Sequence, residues 1–269
     1  MAYTFKIISD TSGAVSGLNK VKAGVQGINN EVRRTHESMG MMERHLRRIG
    51  EYMIARWAFQ GIHMFAEGII DTTAKFEALT NVIKYSSLSP KDAEENIKFV
   101  TDLVKKLHLP LQETYEGFSN MQAGMVGTGI QGDKMRKIFE ALATANSVLH
   151  LAPNTMSRIF YDTKVMAEMT TVQKRELGRM LARVVPGTMG LAAKAEGTTI
   201  EGLLEKMKEG MIKSKDFLPK FAAEIQSYYE KGLKYSTKSL VANMNDFKTA
   251  ITIIQLQFGN RLKQMLLEK

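Results

Sequence analysis

The sequence predicts an all-α chain: a multi-helix bundle of short helices flanked by long coiled-coil-like helices, with one short strand at the N-terminus. Three observations support this fold class. Apolar residues recur at spacings of three and four over most of the chain, which is the periodicity of helices that face a core. Glycine and proline interrupt the middle at short intervals, so the helices there are short. With 269 residues and 44% hydrophobic content, the chain can bury one or two ordinary cores.

Composition excludes several classes of site. The chain has no cysteine, so disulfides, thiolate catalysis and cysteine-based metal sites are excluded, and we expect a reducing compartment. The formal net charge of +9 has two interpretations: an acidic partner such as nucleic acid, or an ordinary solvated basic surface. The spacings of HExxH and of histidine pairs at i and i+4, of GxSxG serine nucleophiles and of Walker A loops do not occur. We therefore predict no catalytic residue, metal ligand, cofactor or small-molecule substrate.

The N-terminal part is predicted to contain a strand and a turn at residues 1–12, followed by a long helix at residues 13–70. Tyr3, Phe5 and Ile7 occupy alternate positions, which indicates a short strand. The apolar positions that follow fill two heptad positions in register, which is typical of a coiled coil. We call these residues the seam: Leu18, Val21, Val25, Ile28, Val32, Met39, Met42, Leu46, Ile49 and Met53.

Two interpretations of the seam stay open. It can form the interface of a homo-oligomer or dock on a partner, or it can pack on its own domain. Glycines within the segment each cost about 1 kcal/mol relative to alanine in a helix interior, so an isolated rod would be weak.

The most apolar window of the chain is residues 53–70. Arg56, His63 and Glu67 interrupt it, and a charge near the centre of a bilayer costs roughly 2.5–3.5 kcal/mol. A buried or interfacial helix is therefore favoured over a membrane span.

Short helices are predicted for residues 71–235. Pro90 is expected at the first position of one helix, because its missing N–H does no harm there. Leu109-Pro110 is expected to end that helix. Gly127, Gly129 and Gly132 have the spacing of a dinucleotide-binding loop, but a predicted helix precedes them where such a loop needs a strand. We interpret them as an inter-helix loop.

Residues 176–219, which we call the motif segment, are divided by glycine and proline into four short helices. Pro186 disfavours helix at the residue before it, and Gly197 supplies a left-handed stop. Thr198 and Glu201 are predicted to form a capping box. Ser214 is predicted as the N-cap of the last helix, whose apolar face includes Phe217, Phe221, Ile225 and Tyr228.

The order of residues in the motif segment resembles the domain of bacteriophage tape measure proteins. The resemblance covers about residues 70–250, and its residues are Glu176, Leu177, Leu181, Pro186, Gly187, Gly197, Gly210, Asp216, Leu218 and Pro219. It implies a non-enzymatic tail protein that sets tail length as a helical template in the tube lumen and is released on infection. The implied partners are the tail tube protein, tail assembly chaperones and tail tip or baseplate proteins, and the implied location is the virion tail, or the host cytoplasm during assembly. Contact of residues 53–70 with the host membrane is a hypothesis that follows from the same resemblance.

Residues 236–269 are predicted to form one C-terminal helix that continues in a longer full-length protein. Its apolar positions again follow heptad spacing, at Leu240, Met244, Phe247, Ile251, Ile254, Phe258 and Met265.

The alternative function of the chain is a basic helical adaptor that binds DNA or the host envelope. Its phosphate contacts would make affinity fall steeply with salt.

Overall fold

The structure is a computed structural model that describes residues 68–267. These residues form helices and turns, with one isolated antiparallel bridge between Thr171 and Lys213. The predicted all-α class is thereby confirmed for the described part of the chain. The predicted strand at residues 1–12 and the seam at residues 18–53 lie outside the described residues.

The helices follow one another with short connections. Residues 68–86 are helical and form α1. The further elements are α2 (Pro90–Leu107), α3 (Leu111–Gly124), α4 (Asp133–Leu149), α5 (Pro153–Glu168), a π-helical turn (Arg175–Leu181), α6 (Thr188–Ala195), α7 (Ile200–Lys208), α8 (Ser214–Tyr229), a 3₁₀ turn (Glu230–Gly232), α9 (Leu233–Ser236) and α10 (Leu240–Leu267).

Residues 74–249 form one compact unit. Within it α4 packs on α8, α3 packs on α5, and α6 packs on α8. A row of phenylalanine rings runs through the core: Phe118 and Phe139 meet edge to face at 5.1 Å, and Phe139 stacks on Phe160 at 4.3 Å. Aromatic pairs of this kind contribute about 0.5–1.5 kcal/mol beyond burial of their area. The row thus links α3, α4 and α5.

A second unit comprises residues 1–73 and 250–269, of which residues 68–73 and 250–267 are described. Thr72 Oγ1 donates to Gln255 Oε1 at 3.0 Å. A Cβ atom at Gly259 would overlap the Thr73 side chain, so the two helical segments approach closely at this glycine. The predicted domain boundaries at residues 12, 70 and 235 stay predictions.

Most predicted helix boundaries are present, and two caps differ. Ser89 caps α2 by accepting from Asp92 N, with Pro90 at the start of the helix as predicted. The predicted capping box at Thr198 is wrong, because the neighbouring Thr199 is the N-cap and accepts from Gly202 N at 3.2 Å. Ser214 is the first residue of α8 and not its cap. The helical hydrogen bonds begin one residue earlier than predicted, because Phe217 N donates to Lys213 O at 3.0 Å.

The predicted apolar line on α10 is largely exposed in the compact unit formed by residues 74–249. Leu240 is 78% exposed and Met244 is 49% exposed, while the small Ala242 between them is buried. The first turns of α10 therefore contact the unit through a small residue and leave larger apolar side chains in solvent.

Candidate functional site

The motif segment folds as four consecutive helical elements, as its glycine and proline spacing predicts. The first element is a π-helical turn, a geometry that periodicity does not reveal. Glu176, Leu177, Leu181 and Leu218 are buried, whereas Asp216 is exposed. Pro219 lies inside the first two turns of α8. The structure thus brings most of the motif residues into the core and its turns.

Gly187 separates the π-helical turn from α6. Its φ of 79° is left-handed, and a Cβ atom there would have no neighbour within 4 Å. The requirement for glycine is therefore conformational and not a matter of space. Gly197 and Gly210 end α6 and α7 with φ of 61° and 68°.

Tyr229 connects the end of α8 to the turn at Pro186. Its hydroxyl donates to the Pro186 carbonyl oxygen at 2.6 Å. Burial, with a smaller contribution from the neighbouring Tyr228, raises the pKa of Tyr229 to about 12. Tyr228, which we predicted on the buried face, is exposed. The prediction was wrong by one residue because the face of α8 is set by this hydrogen bond as well as by apolar spacing.

The bridge between Thr171 and Lys213 joins the residues that precede the motif segment to the residues that precede α8. Val172 N donates to Ile212 O at 2.9 Å, and Ser214 N donates to Thr170 O at 3.1 Å. The residues just before the π-helical turn are thereby fixed beside the start of α8.

Two carboxylates are buried where α5 packs on the π-helical turn. Asp162 is 1% exposed, and neither of its carboxylate oxygens has a hydrogen-bond partner among the described residues. Arg158 Nε lies 3.9 Å from Asp162 Oδ2. Burial raises the pKa of Asp162, Arg158 lowers it, and the nearby Glu176 raises it again. Glu176 is also buried and has one unpaired oxygen in this part of the chain. A buried carboxylate that lacks hydrogen-bond donors and has only one distant ion-pair partner opposes folding at neutral pH.

Sequence reasoning missed Asp162, although a signal was present. Ile159, Asp162 and Met166 have the spacing of a single buried helical stripe, so the carboxylate occupies an apolar position.

The glycine-rich stretch before α4 is an inter-helix loop, as predicted. Helix α3 precedes it, and Gly127, Gly129 and Gly132 all have positive φ. The geometry lacks the strand that a dinucleotide site needs.

His108 and His150 cap α2 and α4 in left-handed conformations. Across residues 68–267 no group of three or more acidic or imidazole side chains is arranged to hold a metal ion. Among these residues no helix combines the length and the apolar character that crossing a membrane requires.

A groove of about 280 Å³ lies beside these two histidines and was not predicted. Its walls include Pro110, Pro153 and Met244. The sequence contains a signal for it in two similar helix corners, Leu-His-Leu-Pro and Leu-His-Leu-Ala-Pro.

Comparison with known proteins gives one match. The family model described as "Tape measure protein" matches residues 67–260, which is more than two-thirds of the chain. A search of curated proteins and a search of solved structures returned no match. The matched range contains the whole motif segment and the bundle around it.

Proposed function

Because this chain belongs to the tape measure protein family, we propose that it is the helical template that sets tail length. In this proposal it occupies the lumen of the tail tube during assembly and leaves the tube on infection. The family indicates a structural component of a phage tail, and no catalytic role is proposed.

The family match over residues 67–260 is the observation that carries the proposal. The form of α10 supports it further. This helix is 28 residues long, and at a rise of about 1.5 Å per residue it extends about 42 Å. A helix has a fixed length per residue, which is the physical requirement for a ruler.

The proposed partners are the tail tube protein, tail assembly chaperones and tail tip or baseplate proteins. The chain would be present in the host cytoplasm during assembly and in the virion tail afterwards. The exposed apolar residues of α10 support association with a partner or with further copies of the chain, because helices bury such stripes in bundles.

Protease protection of purified tails tests the proposed position in the lumen. The chain should survive in intact tubes and be digested once the tubes are dissociated. Digestion of the chain in intact tubes, under conditions where the tube protein is uncut, would contradict the proposal.

A basic adaptor that binds DNA or the host envelope is the second candidate, and the formal charge of +9 favours it. Phosphate contacts would make the affinity for DNA fall steeply between about 50 and 200 mM salt.

Flotation of a peptide covering residues 53–70 with liposomes tests the proposed membrane contact. A peptide that stays at the bottom of the gradient would contradict the proposed membrane contact.

A further inference from the structure

Two helix corners with the same construction lie side by side in the unit of residues 74–249. In each, a histidine ends the first helix with a left-handed φ, 52° at His108 and 49° at His150. A leucine follows the histidine in both corners, and a proline comes directly after it in the first corner and after Ala152 in the second. The next helix begins directly after the proline in the first corner and at the proline in the second. Ser147 Oγ donates to Leu107 O at 2.9 Å and joins the two corners. The corners thus form one continuous wall.

The groove lies between this wall and the segment Ser236–Lys248. At about 280 Å³ it is just below the usual size range of small-molecule sites, which is roughly 300–1,000 Å³. Its lining is mainly apolar, with Leu151 and Met156 among the lining residues. A groove of this size and chemistry suits one or two large apolar side chains better than a free ligand.

The rim of the groove presents apolar side chains to solvent. Leu240 is 78% exposed, Met244 is 49% exposed and Val241 is 42% exposed. Leu240 and Met244 lie four residues apart on α10, so they project from one face of the helix. Clustered exposed apolar residues beside a concavity mark interaction sites.

The segment that forms the other wall, residues 236–248, carries Lys238 and Lys248 against Asp246. Glu230, Lys231 and Lys234 precede it in the chain. Asp246 Oδ2 is already 2.8 Å from His108 Nδ1. Lys231, Lys234 and Lys238 are exposed. A partner that approaches this wall therefore meets an excess of positive charge.

We propose that the groove binds an acidic amphipathic helix of a partner protein. Two apolar side chains of that helix fill the groove, and its carboxylates face the lysines. A second copy of this wall is disfavoured as the occupant, because it would bring the same positive charge against itself. The proposal does not depend on the length-setting role.

Methyl NMR of the whole chain tests the proposal, since the chain contains 18 methionines that can be labelled at their methyl groups. The probe is a helical peptide of about 18 residues, or five turns, with leucines at i and i+4 on one face and glutamates on the other. The comparison peptide has a lysine in place of every glutamate. Met244 and Met156 report on the groove, and Met211, which is 62% exposed outside it, is the internal control.

We expect the acidic peptide to shift the Met244 and Met156 signals saturably and to leave Met211 unchanged. Met244→Glu should weaken binding about tenfold or more, which corresponds to about 1.4 kcal/mol. Met211→Glu, the same change at another exposed methionine, should leave binding unchanged. Leu240→Ser provides a second rim variant whose exposure makes folding insensitive to the change.

Three results would overturn the proposal. One is binding of the lysine peptide as tightly as the acidic peptide. Another is acidic-peptide binding that is unaffected by both rim variants. The third is a shift of the Met244 signal with increasing concentration of the chain alone, because it would show that a second copy fills the groove.

Discussion

Replacing the buried carboxylate at Asp162 with an amide should stabilise the protein at neutral pH. Asp162→Asn keeps the shape of the side chain and removes a charge that has no hydrogen-bond donor among the described residues. It also removes the repulsion between Asp162 and Glu176, which contributes to the raised pKa of Asp162. Arg158 is largely exposed and stays solvated when its weak partner is lost.

The sign of the pH dependence follows from the raised pKa of Asp162 in the folded state. The folded carboxyl holds its proton to a higher pH than the unfolded carboxyl, whose pKa is about 3.9. The stabilisation from the protonated Asp162 carboxyl is therefore fully present below about pH 3.9. It is lost as the pH rises through the pKa of this carboxyl in the folded state. At pH 7, burying this charge without a hydrogen-bond donor lowers the free energy of unfolding by roughly 1–3 kcal/mol. Removing about 2 kcal/mol of cost should raise Tm by roughly 4–8 °C for a unit of this size.

Thermal and urea unfolding of the wild type and Asp162→Asn between about pH 4 and pH 8 measure this effect. The difference in unfolding free energy should grow as the pH rises. Asp102→Asn, the same change at an exposed position of α2, should alter stability by less than about 0.5 kcal/mol at every pH. Lower stability of Asp162→Asn at pH 7, or a pH profile identical to that of the wild type, would refute this reasoning.

Four further substitutions test the geometry of the bundle by chemical denaturation. Gly187→Ala should cost about 1–2 kcal/mol because its φ is 79°, while Gly190→Ala, in open space within α6, should stabilise by up to about 1 kcal/mol. Tyr229→Phe should cost about 1 kcal/mol through its lost hydrogen bond. Because the Tyr229 pKa is raised to about 12, its stabilisation is lost as the pH rises from about 10 through 12, and Tyr229→Phe should show a smaller loss over that range. Gly117→Ala should cost about 1–3 kcal/mol, because the new methyl group would overlap a phenylalanine ring of α5. Equal stabilities for the two glycine variants at 187 and 190 would contradict the conformational argument.

The division of the chain into helices was readable from the sequence because glycine and proline act locally. Pro90 and Gly197 end or start helices through their own backbone preferences, with no need of tertiary contacts. The caps were less certain, since Thr198 and Thr199 are both good N-caps. The backbone conformation of the folded chain decides which of the two hydroxyls accepts a hydrogen bond from a backbone amide.

Features that depend on contacts between distant segments were not predicted. The inward position of Asp162 results from packing of α5 on the π-helical turn. The choice of Tyr229 over Tyr228 depends on a carbonyl more than forty residues away in sequence. The groove requires two corners that the sequence shows as separate motifs. Periodicity describes one helix at a time and carries no information on such pairings.

Tail length measured by electron microscopy tests the central claim that helical residues of this chain set the length of the tail. Tandem repeats of the α10 sequence, each 28 residues or four whole heptads, are inserted after Leu267 so that the apolar line stays in register. A helical template predicts about 42 Å of added tail for each repeat, or about 1.5 Å per residue. Tails of unchanged length in particles that carry the extended chain would contradict the claim.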